Sequence, residues 1–281
     1  MTRELIEELK DIKIAIFDLD GVIYRGDKLI PNVDNIIQEL KKLSIKIVYN
    51  SNNSTATRQM YVDRLKNFGI PCNITDFYTS ASITAKEITK LKEKANVFVI
   101  GEMGLKDELR ALEHIIITDE LQYDKVDFVI VGLDRDFHYK KLAIAQKCIL
   151  QGKAHFYATN ADATLPAPIG LLPGAGVMVN AVEVCTSKKP EKVFGKPNPY
   201  GIEMILNDFR IEAKDAVIFG DRLDTDIAAG NNVGIKTVLV LTGVTPRKKV
   251  NEIEHNFLKI SSVKNNLIPD IIIDTLNEIF K

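Results

Sequence analysis

Apolar residues in this chain cluster in short, β-branched runs, separated by longer stretches where they recur every three or four positions. The short runs predict strands and the longer amphipathic stretches predict helices. Expected strands are Ile12–Phe17, Ile45–Asn50, Val97–Ile100, Phe128–Val131, His155–Ala158, Ala216–Phe219, Thr237–Leu241 and Ile271–Ile273. Expected helices include Val33–Leu43, Ala56–Phe68 and Tyr139–Leu150. Leu65 and Phe68 recur at helical spacing and belong to a core-facing stripe, not to a cofactor site. Regular alternation of the two element types predicts an α/β fold with a doubly wound, Rossmann-like parallel sheet.

The order of elements adds a second feature. Two early strands and a late one run into polar motifs, whereas residues 82–183 carry a full alternating set of their own. A smaller α/β domain inserted into the larger one accounts for this better than one continuous sheet. The expected boundaries are 1–81 and 184–281 for the core and 82–183 for the insertion. There is no internal repeat or low-complexity tract.

Composition narrows the classes. With 281 residues, 46% hydrophobic and 27% charged, the chain reads as an ordinary globular protein able to bury a substantial core. A net charge of −1 supplies no field for a polyanion, so nucleic acid is not an expected partner. Cys72, Cys148 and Cys185 are odd in number and widely spaced, which argues against a disulfide framework and a zinc site. Each is expected to be a small buried hydrophobe. The opening MTRELIEELKDIK lacks the apolar run of a signal peptide, and no run of about 18 apolar residues occurs. No membrane is expected as a partner, and the cytoplasm is the expected location. Self-association stays open.

Candidate chemistry sits where predicted strands end, the place at which ligands collect in open α/β sheets. The first strand runs into Asp18-Leu19-Asp20-Gly21, a carboxylate pair that repels unless one acid holds a proton or a cation binds. A plain turn is the competing reading. The second ends in Asn50-Ser51-Asn52-Asn53-Ser54-Thr55 before a helix, where a hydroxyl and amides suit an anion, or where Ser54 or Thr55 simply caps. Gly195-Lys196-Pro197-Asn198-Pro199 puts a lysine beside a helix start, with Asn198 as expected cap and Pro199 as first helical residue. A cation gains nothing there unless an anion lies between. A fourth strand ends in Gly220-Asp221-Arg222-Leu223-Asp224-Thr225-Asp226, a density of acids suited to a hard cation or to a capped helix start. One magnesium ion and one phosphate would satisfy all four segments together.

These segments, in this order, resemble the four motifs of the haloacid-dehalogenase superfamily: DLDGV at Asp18, NSNNS around Ser51, GKPNP at Lys196 and GDRLDTD at Asp221. The flanking text, with PGAG at Pro173–Gly176 and PDIIID at Pro269–Asp274, is similar to the NagD-like and 4-nitrophenylphosphatase-like subfamily with a large α/β cap. The resemblance covers almost the whole chain. It implies a phosphatase for small phosphorylated metabolites. Asp18 would be the nucleophile and Asp20 the acid and base. Mg2+ would be held by Asp18, the Asp20 backbone carbonyl and Asp221. Ser51, Asn52 and Lys196 would bind phosphoryl oxygens, and Asp226 would orient Lys196 or a metal-bound water. A dehalogenase needs neither Asp20 nor a metal, so the second aspartate favours phosphoryl chemistry.

Thr159-Asn160-Ala161-Asp162 resembles the cap segment that faces substrate in this family, which marks Asn160 and Asp162 as specificity residues, with an Asx-rich turn as the alternative. Leu165 stands where pyridoxal phosphate phosphatases carry a histidine, which weakens a pyridoxal reading. Gly174-Ala175-Gly176 lacks the rest of a dinucleotide fingerprint. His114, His138, His155 and His255 show no metal or triad spacing and are expected to be structural or surface residues. Two other readings remain: a non-catalytic phosphate-binding or regulatory module, and a phosphotransfer domain with a long-lived phospho-Asp18.

Overall fold

The computed structural model describes residues 3–167, 170–257 and 266–281, and the side chains of 253–257, His255 among them, lie outside the description. The chain divides into two compact units: Met1–Ser51, Val62–Tyr78 and Lys196–Lys281 in the first, Asn52–Tyr61 and Thr79–Gly195 in the second.

The first unit is built on a six-stranded sheet. Its spatial order is Ile271–Ile273, Lys236–Val240, Ala216–Gly220, Ile14–Phe17, Lys46–Ser51, Phe77–Thr79. The pairings from Ile271–Ile273 across to Lys46–Ser51 are parallel. Ile14, Ala15, Ile16 and Phe17 are all buried, as expected for a central strand covered on both faces, and the Phe17 ring stacks on Phe219 at 4.7 Å. Burying each of the Ile14, Ile16 and Phe17 side chains contributes about 1.5–3 kcal/mol. The helix Val33–Lys42 shows why its sequence is helical: Val33, Ile36, Ile37 and Leu40 form one buried stripe, and Lys41 and Lys42 occupy the last turn. It stops at Leu43, and Ser44 turns left-handed at φ 61°.

Sheet order determines where ligands collect. From Ile14–Phe17 the chain goes first to Lys46–Ser51 on one side and later to Ala216–Gly220 on the other, so the direction of winding reverses at this strand. Phe17 is level with both Tyr49 and Phe219. Asp18, Asn50 and Gly220 therefore leave the sheet together at the crevice a reversal creates.

The second unit has its own five-stranded sheet, ordered Lys192–Val193, His155–Ala158, Phe128–Val131, Asn96–Ile100, Ile115–Ile116, with parallel pairs. Val129, Val131 and Phe156 pack with Ile144, Cys148 and Ile149 of the helix Tyr139–Leu150 and with Val179 and Val182 of Ala175–Thr186. This unit extends beyond the expected 82–183, because Lys192–Val193 pairs with Tyr157 and Ala158. Asn52–Tyr61 also packs with it: Gly104 donates to the Thr55 carbonyl at 2.9 Å, and Arg58 pairs with Glu108 at 2.7 Å.

Several local expectations shift. The strand Phe77–Thr79 and the edge pair Ile115–Ile116 are too short to show alternation in sequence. The second helix begins at Arg58, and its cap is Thr57, whose Oγ1 accepts from the Met60 amide at 3.2 Å, not Ser54 or Thr55. Ser54 is buried instead and accepts from Thr159 Oγ1 at 3.4 Å. Tyr200–Phe209 starts one residue later than expected, with Pro199 rather than Asn198 at the cap. Cys72 and Cys148 are buried, Cys185 is half-buried, and all are free thiols. His114 is buried between Thr89 and the Ala95 amide, while His155 pairs with Glu191 at the surface. Among the described residues no helix is long and apolar enough to cross a membrane.

Candidate active site

The first unit gathers residues from four distant segments at the carboxyl end of its central strands. Lys196 is their hub. Its Nζ donates to Asp18 Oδ1 at 2.7 Å, to Asp226 Oδ1 at 2.5 Å and to the Asn50 carbonyl at 2.8 Å. Carboxylate oxygens of Asp18, Asp221 and Asp226 all lie within 4.8 Å of one another. Each side chain is held from behind. The Asp18 amide donates to the Phe219 carbonyl at 2.9 Å. Asp221 Oδ2 accepts from the Val244 amide at 2.6 Å, and Asp226 Oδ2 accepts from the Arg222 amide at 3.1 Å. Asp226 sits in a π-helical turn, Leu223–Ile227, that precedes Ala228–Val233.

Burial gives this cluster its electrostatics. Burial is the main influence raising the Asp18 carboxyl well above the usual carboxylate range; the Lys196 charge lowers it and the other two acids raise it again. Asp221 is pushed up to about 7, first by burial and then by Asp226, with the Val244 amide pulling the other way. For Lys196 burial opposes the charge, but Asp18 and Asp226 together outweigh it and raise the ammonium above its ordinary value. Three carboxylates face one ammonium, an imbalance that hard-cation binding would relieve. The donor set fits magnesium.

Glycines make room for these acids. A Cβ at Gly243 would lie 1.9 Å from Asp221 Oδ2, and one at Gly220 would lie 2.1 Å from Asp226 Cβ. Gly21 adopts φ +86°, and a Cβ there would meet Asp221 Oδ2 at 2.4 Å. Close approach at these positions excludes any side chain.

Asp20 stands apart from the buried cluster. It is solvent-exposed, yet the surrounding protein raises its carboxyl above the usual range, with Arg64 lowering it and Asp27 raising it. Ser51, buried, ends the strand Lys46–Ser51.

In the second unit a different group forms. Asn52 Nδ2 donates to both carboxylate oxygens of Asp162, at 3.3 and 3.1 Å, and Asn160 Nδ2 donates to Asp162 Oδ2 at 2.8 Å. Asn52, Asn160 and Asp162 thus form one network, completed by Thr159 Oγ1 donating to Asn160 Oδ1 at 2.9 Å. The PGAG segment supports it: the Gly174 and Gly176 amides donate to the carbonyls of Ala163 and Asp162, each at 2.9 Å. A Cβ at Gly174 would meet the Asp162 carbonyl at 2.2 Å. These glycines serve close backbone packing, not a dinucleotide. The chain passes between units inside two motifs, at Ser51–Asn52 and at Gly195–Lys196.

Sequence reading missed Asn50, whose carbonyl receives Lys196, and the loop Thr242–Val244, which positions Asp221. A glycine just after the strand Lys236–Val240 was the available signal for the loop. Asp134 and Arg135 are engaged in ion pairs with Lys141 and Glu102, at 3.0 and 2.6 Å.

Known proteins resemble this chain along most of its length. Residues 15–114 match the family model described as haloacid dehalogenase-like hydrolase, and 193–279 match a second model of HAD-hydrolase-like proteins. An acid sugar phosphatase of Staphylococcus haemolyticus is 35% identical over 87% of this chain and 90% of its own length. A 5'-nucleotidase of Bacillus subtilis is 34% identical over 87% of this chain and 93% of its own. The solved p-nitrophenyl phosphatase of Archaeoglobus fulgidus superposes with a TM-score of 0.85 at 34% identity, covering 95% of this chain and 98% of that one. The chain belongs to the haloacid dehalogenase-like hydrolase family, in its NagD-like, 4-nitrophenylphosphatase-like branch, and is a phosphoric monoester hydrolase.

Proposed function

We propose that the enzyme is a magnesium-dependent phosphatase of small phosphorylated metabolites that works through an aspartyl-phosphate on Asp18. The observation carrying this reading is the Lys196 ammonium bonded to both Asp18 and Asp226 at the strand crossover, with Asp221 in the same cluster. In the first step a carboxylate oxygen of Asp18 attacks phosphorus, the ester P–O bond breaks, and Asp20 gives its proton to the leaving oxygen. In the second, Asp20 takes a proton from water, the water oxygen attacks phosphorus, and the P–O bond to Asp18 breaks to release phosphate. Asp20 suits both tasks, because its raised carboxyl keeps a usable proton and water reaches it.

Lys196 and Ser51 are assigned the phosphoryl oxygens, with Asn52 next to Ser51 in the chain, and Asp226 orients Lys196. Asp18, Asp221 and the Asp20 carbonyl are the groups that would hold magnesium, which when bound supplies positive charge to the phosphoryl oxygens. The second unit is assigned the part of the cap that chooses the leaving group, through Asn160 and Asp162. Sugar phosphates and nucleoside monophosphates are the substrate classes to screen first, since relatives are named for them. The cytoplasmic setting expected from the sequence belongs to the same proposal.

The test is release of 4-nitrophenol from 4-nitrophenyl phosphate with and without magnesium, in the wild type and in Asp18→Asn. Magnesium-dependent turnover that vanishes in the variant is expected. Phosphate binding without turnover across a broad panel of esters would overturn the reading in favour of a non-catalytic module.

A further inference from the structure

The hairpin formed by Tyr24–Arg25 and Lys28–Leu29 follows Asp20 directly, and it is tied down from two sides. On one side Arg25 donates to the carbonyls of Thr242 and Gly243, and Thr242 Oγ1 donates to the Gly21 carbonyl at 2.5 Å. On the other side stands Arg64, from the helix Arg58–Asn67. Its Nη2 donates to the Gly26 carbonyl at 2.9 Å and to Asp27 Oδ1 at 2.7 Å. The guanidinium carbon lies 4.3 Å from the centre of the Tyr24 ring, within cation–π range.

Tyr24 is the lever. Its carbonyl accepts from the Gly21 amide at 2.7 Å, and its amide donates to the Leu19 carbonyl at 3.2 Å. A grip on Tyr24 is therefore a grip on both chain neighbours of Asp20. Fold stability alone gives little reason for an arginine here. Asp27 is 99% exposed, and pairs with so much solvent contribute little. Its helix is already anchored by buried Val62 and Leu65.

The geometry points to Arg64 as a positioning residue that fixes the Asp20 backbone, and with it the carboxyl, at the leaving-group oxygen. This inference rests on the reading of Asp20 as the acid. Its signature is dependence on the leaving group. An alkyl ester needs its oxygen protonated as the bond breaks, whereas 4-nitrophenolate leaves with little help. The quantity to compare is kcat/KM, which reports the first irreversible step and excludes the common hydrolysis of the phospho-enzyme.

The experiment measures kcat/KM for 4-nitrophenyl phosphate and for glycerol phosphate in the magnesium-supplied wild type, Arg64→Gln, Arg64→Lys and Asp20→Asn, with melting temperatures alongside. In Arg64→Gln the alkyl-to-aryl ratio should fall about tenfold, while the melting temperature moves by no more than about 3 °C. In Arg64→Lys, which keeps the charge without the planar fork, the ratio should fall by a smaller factor. An unchanged ratio in both Arg64 variants, alongside a selective alkyl loss in Asp20→Asn, would sink this inference alone. No selective loss in Asp20→Asn would remove the acid itself, and the inference with it.

Discussion

Lys196 Nζ lies 2.5 Å from Asp226 Oδ1, and the two side chains retain 4% and 1% of their solvent exposure. A pair this deep is costly to bury and costlier to break, because the surviving partner keeps its charge without water. Lys196→Met leaves Asp18, Asp221 and Asp226 facing one another. Expected is a loss of about 3–5 kcal/mol in urea titration of the metal-free protein, and a fall in kcat of about a hundredfold or more with magnesium present. Stability within about 0.5 kcal/mol of wild type would show that the pair is not holding the site together.

Asp18→Asn should separate chemistry from folding. The amide cannot become an acyl-phosphate, so turnover is expected to fall below detection. Burial and two neighbouring acids already disfavour the ionised Asp18. Removing that charge should therefore leave the metal-free protein at least as stable at neutral pH, read from its melting temperature. A marked drop would mean that the contact with Lys196 outweighs the repulsion.

Asp221 supplies a pH dependence with a definite sign. Its carboxyl rises from 3.8 to about 7 on folding in the absence of metal. Between those values the folded state binds more protons than the unfolded one, so stability of the metal-free protein falls as pH rises from about 4 to 7. A cation needs the ionised carboxylate and therefore binds more tightly as pH rises through the same window. Melting scans at pH 5, 6, 7 and 8, with and without magnesium, should show the metal's stabilisation growing with pH. Stabilisation that is constant or shrinks with pH would contradict the assignment of Asp221 as a ligand.

Gly243→Ala is a small change with a large expected consequence. Its Cβ would fall 1.9 Å from Asp221 Oδ2, against a loop whose Val244 amide fixes that same oxygen. Asp221 must move. The magnesium concentration for half-maximal activity should rise about tenfold, a cost of about 1.4 kcal/mol in binding. An unchanged magnesium requirement would show that the Asp221 position does not govern metal binding.

Asp162 accepts from Asn52 and Asn160 at once, so its loss removes both of these contacts from the second-unit network. Asp162→Ala is expected to shift the kcat/KM ratio between a sugar phosphate and a nucleoside monophosphate by about tenfold. Proportional losses on both would assign the network to support of Asn52 instead of substrate choice.

Much of the candidate site was legible along the chain because its residues directly follow apolar runs. In a parallel sheet covered on both faces, a strand such as Ile14–Phe17 is wholly apolar, so the first polar residues after it stand at the sheet's carboxyl edge. The linear pattern alone therefore puts Asp18, Asn50, Ser51 and Asp221 at strand ends. Residue type does the rest, since acids and a lysine so placed have few uses other than anions and cations. Short elements left no such trace: Phe77–Thr79 spans three residues and Ile115–Ile116 two, less than one reliable period.

By itself, the sequence determined the α/β class, the four candidate segments and their order, because those follow from local patterns of apolar and polar residues. Tertiary structure alone decided which distant groups meet. Lys196 joins Asp18 across 178 positions, and Asn52 joins Asp162 across 110, putting Asn52 in the second unit although Ser51 beside it belongs to the first. Arg64 reading Gly26, and Gly243 yielding to Asp221, are equally invisible in one dimension. The reason is physical: a hydrogen bond or a forbidden Cβ depends on distance in space, and a linear pattern records distance only within one helix or strand.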